Sequence, residues 1–139
     1  MGIGVLTIRA VLDTHILVWW TMEPRRLSRP QRNLLMAAEE KGETLAVSAI
    51  TLWELASAVE RNRLEPPRPV REWLEEIERD PQVAVLPLTA PIAFEATQFD
   101  SKFSGDPADR IIAATAVYHG LPLVTSDAKI RGYRRITVV

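Results

Sequence analysis

Four carboxylates stand where a small α/β chain would place its chemistry. Asp13 follows the apolar run Ala10-Val11-Leu12, and Asp127 follows Leu123-Val124-Thr125-Ser126. Glu54 falls in the second turn of the helical segment after Ala46-Val47, and Asp109 in the first turn of the segment opened by Asp106-Pro107. In an open parallel sheet the ligand crevice lies beyond the carboxyl ends of the strands, the edge at which the helix N-termini also lie. These four acids, far apart in sequence, are therefore expected to converge there. Carboxylates held that close repel one another and take up protons unless a cation neutralises them. An all-oxygen set suits Mg²⁺ or Mn²⁺ rather than Zn²⁺. Such ions can activate water and stabilise the oxygens of an in-line phosphoryl displacement, so phosphodiester hydrolysis is the reaction this equipment fits.

Each acid also has a plainer role. Asp106, Pro107 and Asp109 together make a helix start: an N-cap, a proline in the first turn and an acid favoured by the helix dipole. Asp106 is thus read as a cap and at most a helper, whereas for Asp109 capping and ligation are compatible. Asp13 and Asp127 fit caps as well. No cap explains Glu54 between Trp53 and Leu55, which is either a ligand or a solvated position on the outer face of its helix. Thr125 and Ser126 suit support of a neighbouring carboxylate or water, or simple turn capping. Arg110 is either a phosphate contact or a solvated charge. His15 reads as a local hydrogen-bonding residue. Trp19, Trp20, Trp53 and Trp73 all fall on helical segments, where core or subunit packing is favoured over base stacking. Adjacent Trp19 and Trp20 cannot both face one core, which leaves one of them for an interface.

The elements that must position these residues alternate from end to end. Ala10–Leu12 is a strand and Thr14–Met22 a first helix. Ser28–Lys41 is a second helix, capped by Ser28, with Pro30 in its first turn and Gly42 at its end. Thr44–Val47 is a strand. Ala49–Asn62 is a helix whose stripe of Ile50, Trp53, Ala56 and Val59 is expected to face the sheet. Prolines 66, 67 and 69 break the chain, after which Val70, Trp73, Leu74 and Ile77 mark a helix closed by Asp80-Pro81. Val83–Leu88 suits a strand covered on both faces, and Pro91–Phe99 a short helix. Asp106 opens a helix running to about His119, with Gly120 as its stop. Leu123–Thr125 is a buried strand, Ser126-Asp127 turns into a short helical stretch, and Ile136–Val139 is a final strand. The pattern predicts one domain over residues 1–139: a three-layer α/β/α sandwich around a parallel sheet of about five strands.

Composition narrows the function classes. A chain of 139 residues, 47% of them hydrophobic, can bury a single core. Its 17 basic and 18 acidic residues leave a net charge of −1, so no overall positive field announces a nucleic acid. Basic residues are uneven, however, gathering at Arg25, Arg26, Arg29 and Arg32 and again at Lys129, Arg131, Arg134 and Arg135. The lack of cysteine excludes disulfides, thiolate zinc sites and cysteine nucleophiles. Met1–Leu12 is apolar but has no basic leader, and its uncharged run is too short to span a bilayer, so a soluble cytoplasmic protein is the expectation. Glycine-rich phosphate loops, HExxH and the nucleophile elbow are missing. A phosphatase with an aspartyl nucleophile would need a second acid two residues after Asp13, where His15 stands.

Taken together, Leu12-Asp13-Thr14-His15, Trp53-Glu54 after Ser48-Ala49-Ile50, Asp106-Pro107-Ala108-Asp109-Arg110-Ile111-Ile112-Ala113-Ala114 and Leu123-Val124-Thr125-Ser126-Asp127 resemble PIN-domain proteins, and among them VapC-type toxins of prokaryotic toxin–antitoxin pairs. The resemblance runs over nearly the whole chain. It implies a compact α/β/α domain whose acids Asp13, Glu54, Asp109 and Asp127 bind Mg²⁺ or Mn²⁺ and cleave RNA, leaving a 5′-phosphate and a 3′-hydroxyl. It further implies a homodimer silenced by a small antitoxin protein. The alternatives are a housekeeping RNA-processing nuclease of the same fold and a non-catalytic RNA- or protein-binding module whose acids are only caps.

Overall fold

The structure, a computed structural model, describes residues 7–103, 105–133 and 135–139. Strands β1 (Ile8–Leu12), β2 (Thr44–Ser48), β3 (Val83–Leu86) and β4 (Leu123–Val124) form one sheet in the order β3-β2-β1-β4, with every pairing parallel. Successive side chains of a strand point to opposite faces, and both faces are apolar. Ala10, Leu12, Leu45, Val47 and Val124 point into one core, and Val11, Ala46 and Leu123 into the other. That double burial requires helices on both sides.

The first core is closed by α1 (Thr14–Met22), α2 (Arg29–Lys41) and α4 (Val70–Arg79), through Ile16, Leu17, Leu34, Leu35, Ala38 and Trp73. The second is closed by α5 (Ala90–Ala96) and α6 (Pro107–His119), through Ile92, Ala96, Ile112, Ala113 and Ala116. A 3₁₀ turn over Pro24–Arg26 links α1 to α2. The expected three layers are thus present. Helix α2 begins with the full reciprocal cap: Ser28 Oγ accepts from the Gln31 amide, and Gln31 Oε1 accepts from the Ser28 amide. It stops at Gly42, whose φ of 67° suits a residue without Cβ.

Four expectations need correction. The fifth strand is reduced to a parallel bridge between Leu123 and Val138, supported by backbone hydrogen bonds that join Leu123 to Thr137 and Val139, and Thr125 to Val139. The helical stretch after Asp127 is a single turn, in which the Asp127 carbonyl accepts from the amides of Ile130 and Arg131. Strand β3 is an edge strand, buried only at Val83 and ending before Pro87, which has no amide to continue a ladder. Helix α3 (Ala49–Glu60) buries Thr51 and Leu55, not the expected stripe, and Trp53 is 58% exposed. A strict spacing of three drifts around a helix of 3.6 residues per turn, whereas Thr51, Leu55 and Val59 at spacings of four hold one face. Among the described residues no helix is long and apolar enough to cross a membrane.

Candidate active site

The strand order sets the place of the site. From β1 the chain winds outward through β2 to β3, then crosses the sheet and returns on the other side of β1 as β4. The reversal between β1 and β4 is the topological switch point, where the loops leaving two neighbouring strands part and open a crevice. Asp13 leaves β1 there, its amide bonded to the Val124 carbonyl of β4 at 3.0 Å, and Asp127 follows three residues after β4. The four acids Asp13, Glu54, Asp109 and Asp127 line one cleft of about 570 Å³ with Thr14, His15 and Ser126. The expected convergence at one sheet edge is what the structure shows.

Asp13 is 4% exposed and held at both oxygens. Oδ1 accepts from the Thr14 amide at 2.9 Å, which makes Asp13 the N-cap of α1, and Oδ2 accepts from Thr125 Oγ1 at 2.7 Å. Thr125 Oγ1 in turn accepts from the Asp127 amide at 3.0 Å. One buried hydroxyl therefore sets the carboxylate after β1 and the backbone that carries the acid after β4. This bears on Thr125, singled out above as support. Ser126 plays a different part: its amide donates to His15 Nε2 at 3.0 Å, so the ring proton sits on Nδ1, 3.6 Å from Asp13 Oδ2. His15 is the local hydrogen-bonding residue expected of it, packed edge-on against Trp19.

Glu54 enters the cleft from α3. Thr14 Oγ1 donates to its Oε1 and lies 3.0 Å from Thr51 Oγ1. Burial raises the Glu54 pKa above the ordinary carboxylate value; the Thr14 bond works in the opposite direction, and repulsion from Asp13, Asp109 and Asp106 raises it further. Three other acids are thus felt at one carboxylate, the electrostatic signature of a cation site or of a proton-sharing cluster. Asp106 caps α6, accepting from the Ala108 and Asp109 amides at 2.8 and 3.4 Å, and aims the first turn that carries Asp109.

The donor set is chemically that of a hard divalent ion: oxygens only, from four acids, beside hydroxyls and backbone amides. Among the described residues no group of three or more acidic or histidine side chains is placed so that it could hold a metal ion as it stands. The fit is in donor type and in the sign of the local field.

Arg110 does not reach the cleft: Nη1 donates to the carbonyls of Ala96 and Phe99 and Nη2 to that of Asp100, tying the end of α5 to α6. Its guanidinium clamps these backbone carbonyls, and Arg110 is not among the residues that line the cleft. Of the basic clusters, Arg26 lies over the Trp19 ring, Arg131 donates to the Thr125 carbonyl at 2.8 Å and Arg135 pairs with Glu95; Arg134 lies outside the described residues. Trp19 and Trp20 are both half-buried against the first core, and Trp20 Nε1 donates to Glu39.

Sequence reasoning missed Gln31, Thr14 and Thr51 as site-builders. Gln31 is 1% exposed, and its Nε2 donates to the Thr125 carbonyl at 3.2 Å and contacts Ser126 Oγ at 3.1 Å. The capping box locates its Oε1, but only the fold brings its Nε2 to the loop 94 residues away.

The sequence profile of the PIN-domain family matches residues 10–136. The chain belongs to the PIN-domain family. This PIN domain is 40% identical over 124 residues to ribonuclease VapC22 of Mycobacterium tuberculosis (strain ATCC 25618 / H37Rv), covering 89% of the chain and 91% of that protein. It has the fold of VapBC2 from Rickettsia felis, solved bound to a DNA fragment from their promoter, with TM-score 0.69, 20% identity and coverage of 96% and 98%. A toxin–antitoxin complex from Klebsiella pneumoniae is similar too, with TM-score 0.60, 24% identity and coverage of 94% and 95%.

Proposed function

We propose that this PIN domain is a divalent-metal-dependent endoribonuclease that hydrolyses RNA phosphodiester bonds, and that it is the toxin of a toxin–antitoxin pair. The observation that carries the reading is the meeting of Asp13, Glu54, Asp109 and Asp127 in one cleft at the switch point of the sheet. The likeness to a ribonuclease over nine-tenths of the chain supports the reaction, and the likeness to toxin–antitoxin complexes supports a small protein partner. Asp13, Glu54 and Asp109 would hold Mg²⁺ or Mn²⁺, with Asp127 completing the set. When bound, such an ion neutralises the acids, polarises a water and offsets charge developing on phosphate oxygens.

The chain's own residues do the positioning. Thr125 and the Thr14 amide fix the Asp13 carboxylate, Thr14 Oγ1 orients Glu54, and Asp106 aims the turn that bears Asp109. A non-catalytic module whose acids are caps accounts for Asp13 and Asp106, but it leaves a half-buried Glu54, repelled by three other acids, without purpose. A homodimer is part of the proposal and enters no step of it.

The test is incubation of the purified chain with single-stranded RNA in Mn²⁺ and in chelator. Cleavage confined to Mn²⁺, with 5′-phosphate and 3′-hydroxyl ends, is the expected outcome. Equal cleavage in chelator, or 2′,3′-cyclic phosphate ends, would overturn the proposal.

A further inference from the structure

The turn that carries Asp127 gets little support from the sheet, because β4 ends at Val124 after two residues. Side chains from elsewhere hold it, by the peptide group between Thr125 and Ser126. The carbonyl of that peptide accepts from Gln31 Nε2 at 3.2 Å and from Arg131 Nη1 at 2.8 Å, and its amide donates to His15 Nε2 at 3.0 Å. Thr125 is fully buried, so its carbonyl depends on donors from the protein. Gln31 Nε2 also reaches Ser126 Oγ at 3.1 Å and the Val139 carbonyl at 3.4 Å. The residue type at position 31 is informative. A capping box needs only an acceptor there, which Glu supplies as well as Gln, and an acid in the first turn gains further from the helix dipole. A carboxylate, however, has no hydrogen to give the Thr125 and Val139 carbonyls. The amide does both jobs at once: Oε1 faces the Ser28 amide and caps α2, while Nε2 faces the carbonyls.

We infer that Gln31 and Arg131 are positioning residues of the acid cleft, which by gripping the Thr125 carbonyl set the hydroxyl that joins Asp13 to the Asp127 turn. The inference rests on the ribonuclease reading and adds to it two side chains, neither of which lines the cleft. The chain of contacts is short. A carbonyl held by two donors fixes the torsions of Thr125 on one side of the peptide and of Ser126 on the other. Thr125 Oγ1 then donates to Asp13 Oδ2 at 2.7 Å and accepts from the Asp127 amide at 3.0 Å, so both acids take their places from one residue. Partners one shell removed from a metal typically cost about 10- to 100-fold in affinity when replaced. The Arg131 guanidinium repels any cation in the cleft, so its service to the site is the hydrogen bond and not the charge.

The test is the Mn²⁺ affinity of the full chain, read from the resonance of the free ion, in Gln31→Glu and in Arg131→Met. Each substitution makes the field around the cleft more negative, so electrostatics alone would tighten Mn²⁺ binding. Loss of position weakens it. About a tenfold loss is expected in each, with Arg131→Lys, which keeps a donor, close to wild type. Gln31→Glu keeps the Ser28 cap but sets a carboxylate in a buried place; if melting curves show that it does not fold, the exposed Arg131 carries the test. Coupling supplies a second readout. In a Thr125→Val background, which already lacks the hydroxyl, Gln31→Glu and Arg131→Met each cost less than about twofold. Affinity unchanged or tighter in Arg131→Met and in a folded Gln31→Glu would overturn the inference. So would losses that add in full to that of Thr125→Val. If wild type binds no Mn²⁺, the metal reading fails and the inference with it; binding in wild type with unaltered variants removes the inference alone.

Discussion

An Asp13→Asn chain is expected to fold and to lose about 100-fold or more of its Mn²⁺-dependent RNA cleavage. The fold survives because Asn is as good an N-cap as Asp, so its Oδ1 keeps the Thr14 amide, and the Thr125 hydroxyl can turn to accept from the new amide nitrogen. What is lost is the charge. A neutral amide is a poor ligand for a hard divalent ion, and even a group one shell removed from a metal typically costs about 10- to 100-fold when replaced. Asp109→Asn, in the first turn of α6, should behave alike. Initial rates on a single-stranded RNA, with melting curves for both variants, make the check. Cleavage within a factor of about two of wild type in both would mean that neither acid serves the reaction.

Replacement of Glu54 by Gln separates stability from activity. The folded-state pKa of Glu54 is raised, chiefly by burial and further by Asp13, Asp109 and Asp106. Between the ordinary carboxylate pKa and that raised value, the native state holds a proton that the unfolded state has lost. Stability therefore falls as pH rises through the window and stays lower above it. At neutral pH in chelator the ionised Glu54 thus costs stability, and Glu54→Gln removes the cost while keeping an oxygen to accept from Thr14. The variant should melt a few degrees above wild type at pH 7.5 and lose that advantage below the ordinary carboxylate range, where both side chains are neutral. Saturating Mn²⁺ should reverse the order, because an ion that binds only the folded wild type adds stability by mass action. Cleavage should fall as for Asp13→Asn. A variant less stable than wild type in chelator would show that the charge at this position is offset within the fold, and that Glu54 is structural.

The residues that follow strands were legible in the sequence because the pattern there is local. Ala10-Val11-Leu12 before Asp13 and Leu123-Val124 before Asp127 read as buried strands, and the parallel alternation then puts both acids on one edge. Helices α2 and α6 announced their ends through Ser28, Gly42, Asp106 and Gly120. What was not legible depends on contacts between distant segments. The inward face of α3 could not be chosen from Ile50, Trp53 and Val59 alone, since α3 lies at the rim of the sheet, with Leu55 in one core and Ile50 against the other. Gln31 and Thr125 meet only because α2 packs beside the β4 loop. Arg110 was open between a phosphate contact and a solvated charge; one residue along a helix from Asp109 is a rotation of about 100°, which turns it toward the carbonyls after α5, a contact the local sequence does not announce. The last strand failed for want of length: a C-terminal run of four residues sustains one bridge.

The claim beneath all of this is that acids from four separate elements act on one cation. Titration of the metal-free chain with Mn²⁺ at neutral pH, following the free-ion signal by electron paramagnetic resonance, measures it directly. The account predicts saturable binding in wild type that is weakened at least about tenfold by Asp13→Asn, by Glu54→Gln and by Asp109→Asn. Binding equally tight in all three variants, or none in wild type, would contradict it.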